Sequence, residues 1–168
     1  AADVLGAIER LRTRFDVVQY GQLDYPPDTY PLFALKSRDW QDALPCALVT
    51  GGVHGYETSG VHGALRFADL HAADYAGRVN LLIAPCVSPW AYERIHRWNP
   101  HAVDPNRSFR EPSPAAESAA LLRLVAQPAH IGQAELGREL DRIFAALYEH
   151  PLTEQTRRLT RYLRERDV

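Results

Sequence analysis

Methionine is absent from this chain, lysine occurs once, as Lys36, and cysteine occurs twice, as Cys46 and Cys86. With no initiator methionine, the natural start is expected to have been processed or trimmed, so a leader could precede residue 1. The near-absence of lysine beside many arginines reads as codon bias rather than function. Two cysteines are too few for a cysteine-rich zinc module. Each sits in an apolar, β-like run, so buried free thiols are expected, with a disulfide between them as the alternative. No stretch reaches the ~18 consecutive apolar residues of a membrane helix, and no membrane partner is expected. The opening segment AADVLGAIERLR has the spacing of an amphipathic helix rather than of a signal peptide, which leaves the cytoplasm as the default location. Neither sign of charge dominates: the net charge of −2 creates no field that would favour nucleic acid. Internal repeats are also lacking.

What is present is enough for one ordinary domain: 168 residues, 46% of them hydrophobic. Leu5, Ile8, Leu11 and Phe15 recur at spacings of three and four, which predicts a helix over 2–15. Two β-like runs follow, 17–20 and 31–36, separated by the turn Pro26-Pro27-Asp28. Residues 46–50 and 79–84 read as buried strands, with a helix over 58–73 between them. Residues 87–112, rich in Pro, Trp, Arg and Asn, read as a long loop with one helical turn, and loops of that length in compact domains are usually functional. Ser113 as N-cap and Pro114 in the first turn predict a helix running to about Ala126, with Glu117 near its positive end. Two more helices are predicted over 134–148 and 152–166, broken at His150-Pro151. The alternation predicts an α/β fold with a mostly parallel or mixed sheet and flanking helices. It divides into an α/β part, 1–132, and a helical segment, 133–168, which forms a hairpin or the last helical layer.

The segment Thr50-Gly51-Gly52-Val53-His54-Gly55-Tyr56-Glu57 follows the first buried strand. Open α/β sheets place ligands at the carboxyl ends of their strands, and the glycine pair permits a tight turn there. Imidazole nitrogen and carboxylate oxygen both suit Zn²⁺, and both are free of protons near neutral pH, as metal binding requires. The bland alternative is a surface His and Glu at a helix start.

A second segment carries Arg97, Asn99, Ala102, Val103, Asp104, Asn106, Arg107 and Phe109. Together the two segments resemble the zinc carboxypeptidases and their amide-hydrolase relatives, which include succinylglutamate desuccinylase and aspartoacylase types. Those proteins carry H-x-x-E after a strand and, some fifty residues later, R-x-N-x-x-G-V-D-x-N-R-x-F. Every fixed position is matched except the glycine, which is Ala102 here. The resemblance covers residues 1 to about 130, the N-terminal half of the family domain, and then stops. It implies a zinc ion held by His54 and Glu57. It implies that Asn106 and Arg107 clamp a substrate carboxylate, a role suited to the planar fork of arginine. Arg97 would stabilise the oxyanion, and Asp104 would orient its neighbours. The implied substrates are peptides or N-acyl amino acids with a free carboxylate. Tyr56, Trp90, Tyr92 and Trp98 could line a pocket, although loop aromatics more often pack.

The family site needs a second histidine, completing the His₂Glu set known for carboxypeptidase A, and a late general-base glutamate. The D-L-H pattern that normally carries the histidine is missing, and none of Glu135, Glu139, Glu149, Glu154 or Glu165 has the strand context of the base. His130 is the first candidate for the third ligand and His101 the second. His62, His71, His96 and His150 read as structural or solvated. Three readings follow. The first is a metallocarboxypeptidase-like or deacylase-like hydrolase. The second is a shortened non-catalytic relative that binds a carboxylate ligand or a protein partner. The third is a fragment of a longer protein. Oligomeric state cannot be read from the sequence.

Overall fold

The structure, a computed structural model, describes residues 2–126. The expected helices at 134–148 and 152–166, the boundary at 132 and His130 lie outside the described residues.

The first helix, α1 (Ala2–Leu11), buries Val4, Ile8 and Leu11. It stops four residues earlier than its apolar spacing suggests. Phe15 keeps the helical phase but is the first residue of β1 (Phe15–Tyr25), which pairs antiparallel with β2 (Asp28–Ser37). Both strands are longer than their apolar runs, because the hairpin extends through pairs with polar members, such as Asp24↔Thr29 and Tyr25↔Asp28. Pro31 is tolerated because β2 meets its other neighbour only at Leu35 and Lys36, so no ladder bond is lost on that side.

Next come β3 (Cys46–Thr50), α2 (Thr58–Leu70) and β4 (Asn80–Ala84), with a short 3₁₀ turn before β4. The sheet order is β1-β2-β4-β3, with β2 and β4 antiparallel and β3 and β4 parallel. The sheet is therefore mixed, and among the described residues its parallel pairing is confined to β3–β4, the pair joined by a helical crossover. β4 is buried along its whole length. Its side chains alternate between two cores: Leu81 and Ile83 meet Val4, Ile8, Val61 and Leu65 of α1 and α2, while Leu82 and Ala84 meet Leu121 and Leu124.

Those last two residues belong to α4 (Ala116–Val125), on the opposite face of the sheet from α1 and α2. The expected cap is not used. Ala115 occupies the N-cap, and the Ser113 hydroxyl instead donates to the carbonyl of Ser108 at 2.7 Å, closing the preceding loop. That loop holds a further short helix, α3 (Pro89–Arg94), and a 3₁₀ turn at Pro105–Arg107. Cys86 is buried, Cys46 is half-buried, and both are free thiols. No helix among the described residues is long and apolar enough to cross a membrane.

Candidate metal and carboxylate site

Two parallel strands end side by side, and their ends build the site. Past Thr50 the ladder continues irregularly: the Gly51 amide donates to Ala84, and Val87 and Ser88 donate back to Gly51 and Gly52. Gly52 has φ of 60°, a conformation that L side chains rarely adopt. Gly51 is packed so tightly that a Cβ there would lie 2.5 Å from the Gly60 carbonyl oxygen. The chain then turns through His54, and the Tyr56 amide donates to the carbonyl of His96. This contact joins the first motif to the second.

His54 is 5% exposed and lies between two carboxylates. Its Nδ1 is 3.1 Å from Glu57 Oε1, and its Nε2 is 2.9 Å from Asp104 Oδ1. The Tyr56 ring stacks beside it, with centroids 6.0 Å apart and planes 17° from parallel. Asp104 is the hub of the second motif. Its Oδ1 also accepts from the Asn106 amide at 2.9 Å, and its Oδ2 accepts from Arg97 Nε and Nη2 at 3.2 and 3.1 Å. Burial alone would raise the Asp104 carboxyl pKa. The hydrogen bonds from His54, Asn106 and Arg97 and the charge of His54 outweigh that and hold it below the ordinary value of 3.8.

An ionised Asp104 can only accept, so Nε2 of His54 carries a hydrogen. Nδ1, the other ring nitrogen, faces the carboxylate oxygen of Glu57. Two electron-rich atoms at that separation require a proton or a metal ion between them. A histidine whose second nitrogen is held by a carboxylate is the usual arrangement around a bound metal. The donors therefore fit zinc, as two members of a set. No group of three His, Cys, Asp or Glu side chains able to hold a metal is found among the described residues. His101 lies instead edge-on to the Tyr25 ring, 5.7 Å between centroids.

With this geometry in place, solved structures can be compared. The chain is 28% identical to a candidate metallopeptidase of Shewanella amazonensis SB2B, at a TM-score of 0.59, covering 74% of this chain and 48% of that protein. A candidate carboxypeptidase A of Shewanella denitrificans OS-217 matches at 20% identity and TM-score 0.61, over 74% and 35% of the two chains. The fold is that of the zinc carboxypeptidases. An aspartoacylase family protein of Mesorhizobium loti shares it at 22% identity and TM-score 0.52, over 70% of this chain and 38% of that one. This zinc-carboxypeptidase-like chain thus spans about half the length of the first of these structures or less. No family model matches the chain, and no curated protein does.

Within the carboxypeptidase-like frame, the six expected site residues fall into three groups. His54 and Arg97 meet at Asp104, and Glu57 joins them through His54. Asn106 and Arg107 follow on the 3₁₀ turn, both exposed, and the Arg107 guanidinium has no hydrogen bond or ion pair to a described residue. His130 lies outside the described residues. Arg97 is more engaged than an isolated oxyanion donor would be, since Nη1 also donates to the Tyr56 hydroxyl at 3.0 Å. Tyr56, ranked with the packing aromatics from sequence, touches both His54 and Arg97. Asn99 is a fixed position of the motif, and its Oδ1 accepts from the amides of His101 and Val103, both at 3.1 Å.

Proposed function

We propose that the chain carries the metal-binding and carboxylate-gripping half of a zinc-dependent hydrolase that cleaves the amide bond next to a free carboxylate, in a peptide or an N-acyl amino acid. The observation that supports this best is His54 held between Glu57 and Asp104, with Nδ1 3.1 Å from the Glu57 carboxylate and Nε2 2.9 Å from that of Asp104. His54 and Glu57 hold the metal, and His130 is the proposed third ligand. Zinc, when bound, would polarise the scissile carbonyl and lower the pKa of its water.

The remaining roles belong to the chain itself. Arg107, exposed and unpaired among the described residues, takes the substrate carboxylate bidentately, with Asn106 beside it. Arg97 keeps its two bonds to Asp104 and turns Nη1 from the Tyr56 hydroxyl to the developing oxyanion, a contribution of ~10²–10³ in rate for donors of this kind. Asp104 holds His54 in the tautomer that presents Nδ1.

A non-catalytic relative that binds a carboxylate ligand is the second reading, which the exposed Arg107 on the 3₁₀ turn would serve equally well.

Metal content and carboxylate recognition separate the two readings. Protein purified without chelator should contain close to one zinc per chain, and His54→Ala should contain none. Stoichiometric zinc in that variant would overturn the metal assignment. Arg107→Ala should weaken binding of an N-acyl amino acid and spare its carboxyl-amidated analogue, whereas equal loss for both would indicate a folding role. Chelator-sensitive release of C-terminal or N-acylated amino acids by the 168-residue chain would favour the hydrolase, and its absence with carboxylate binding intact the non-catalytic relative.

A further inference from the structure

A second buried polar cluster lies behind the site, and the proposed mechanism does not use it. Glu117, in the first turn of α4, is 1% exposed. Its Oε1 accepts from the Tyr25 hydroxyl at 2.8 Å, and its Oε2 accepts from Asn99 Nδ2 at 3.2 Å. Burying a carboxyl group is costly unless its oxygens are satisfied, and both oxygens of Glu117 are. What the carboxyl provides is a pair of acceptors at fixed positions.

One acceptor fixes the Asn99 amide. With Nδ2 held, Oδ1 of Asn99 is turned to the amides of His101 and Val103, and the Asn99 backbone closes the same loop by donating to the Val103 carbonyl at 3.0 Å. Asp104 is the next residue. On its other side, the hydroxyl of Ser118, the neighbour of Glu117, is fully buried and donates to the Pro105 carbonyl at 2.7 Å. One helical turn thus holds the backbone on both sides of Asp104, before it through Asn99 and after it directly at Pro105.

We propose that Glu117 is a positioning residue for the His54 centre: through Asn99, and in concert with Ser118 on Pro105, it sets the place of the Asp104 carboxylate that orients the His54 ring. The proposal rests on the metal reading of His54 for its functional consequence, and on the hydrogen-bond chain alone for its structural one. Conformational precision in a metal centre usually comes from such outer partners, whose loss costs ~10–100-fold in metal affinity or activity.

The test uses the full chain and two readouts: amide hydrogen exchange at Val103 and Asn106, and zinc affinity by competition with a chelating dye. Glu117→Ala should speed exchange at both amides about tenfold or more and weaken zinc about tenfold. Glu117→Gln, which keeps the shape but only one acceptor oxygen, should fall between that variant and the wild type. The control is Leu124→Ala, a cavity variant on the same helix and 1% exposed in the parent. It should lower overall stability without moving either readout. Wild-type exchange and zinc affinity in both Glu117 variants would overturn the proposal, as would equal changes in Leu124→Ala. Zinc failing to bind the wild-type chain would instead overturn the metal reading, and the exchange rates would still decide the role of Glu117.

Discussion

Ala102 stands where the related motif has glycine, and its φ is 58°. The left-handed conformation brings Cβ against the following carbonyl, at roughly 1–2 kcal/mol for an L residue, and glycine escapes that contact at some cost in unfolded-state entropy. Ala102→Gly should therefore stabilise the protein by about 0.5–1 kcal/mol, measured by urea unfolding, without weakening zinc. A loss of stability would mean that the Ala102 methyl makes packing contacts worth more than the strain. The motif glycine is thus explained by one dihedral angle, set by the loop that Asn99 closes two residues before Asp104. Elsewhere at this scale the sequence was legible only where the chemistry is local. His54 and Glu57 face each other three residues apart, as their spacing suggested. Asp104 on His54, Tyr56 on Arg97, and Glu117 on Asn99 are contacts between distant positions, and no spacing rule carries them.

At the scale of elements, the turn between β3 and α2 is wedged against α3. A Cβ added at Gly55 would come 1.9 Å from the carbonyl carbon of Ala91 and 2.2 Å from the Tyr92 amide nitrogen. Both are backbone atoms, so no rotamer change can relieve the contact. Gly55→Ala should cost about 3 kcal/mol, the upper end of ordinary overpacking, and should also lower zinc affinity, because His54 and Tyr56 flank it. Gly63, exposed within α2, meets nothing within 4 Å. Gly63→Ala should stabilise by about 0.8–1 kcal/mol, the helix-propensity difference. Thermal unfolding of the two variants gives opposite signs if the packing is as described. Elements were legible from the sequence where one face is apolar, as in α1 and α2, or where the whole run is, as in β3 and β4. Their ends were not. Phe15 keeps the helical phase of α1 but starts a strand, and β1 extends through polar residues paired across the hairpin rather than buried.

For the whole molecule, the buried acids predict an alkaline limit. Burial pushes the Cys86 thiol from 9.0 up to about 12. Partial burial and the hydrogen-bonded Asp3 carboxylate raise the Tyr92 hydroxyl from 10.0 to about 12. Tyr25 is raised as well, by burial and by the nearby Glu117. Each group holds its proton more tightly folded than unfolded, so stability must fall as pH rises once the unfolded chain begins to ionise. The window for Cys86 opens near 9.0 and closes near 12. Urea midpoints taken from about pH 8 to about pH 11 should decline, and Cys86→Ala should show a shallower decline; an unchanged slope would remove Cys86 as a contributor. The order in which the chain can close is a further matter. The β1–β2 hairpin zips from a tight turn, with Tyr25 opposite Asp28, whereas the bond from His54 to Asp104 bridges 50 residues. Loop-closure entropy favours the hairpin first and the histidine–aspartate contact late. Interactions formed after the folding barrier slow unfolding and leave the folding rate almost untouched. On that order of events the carboxylate that orients the histidine acts as a kinetic latch, adding little to the speed of assembly and more to how long the assembled centre lasts.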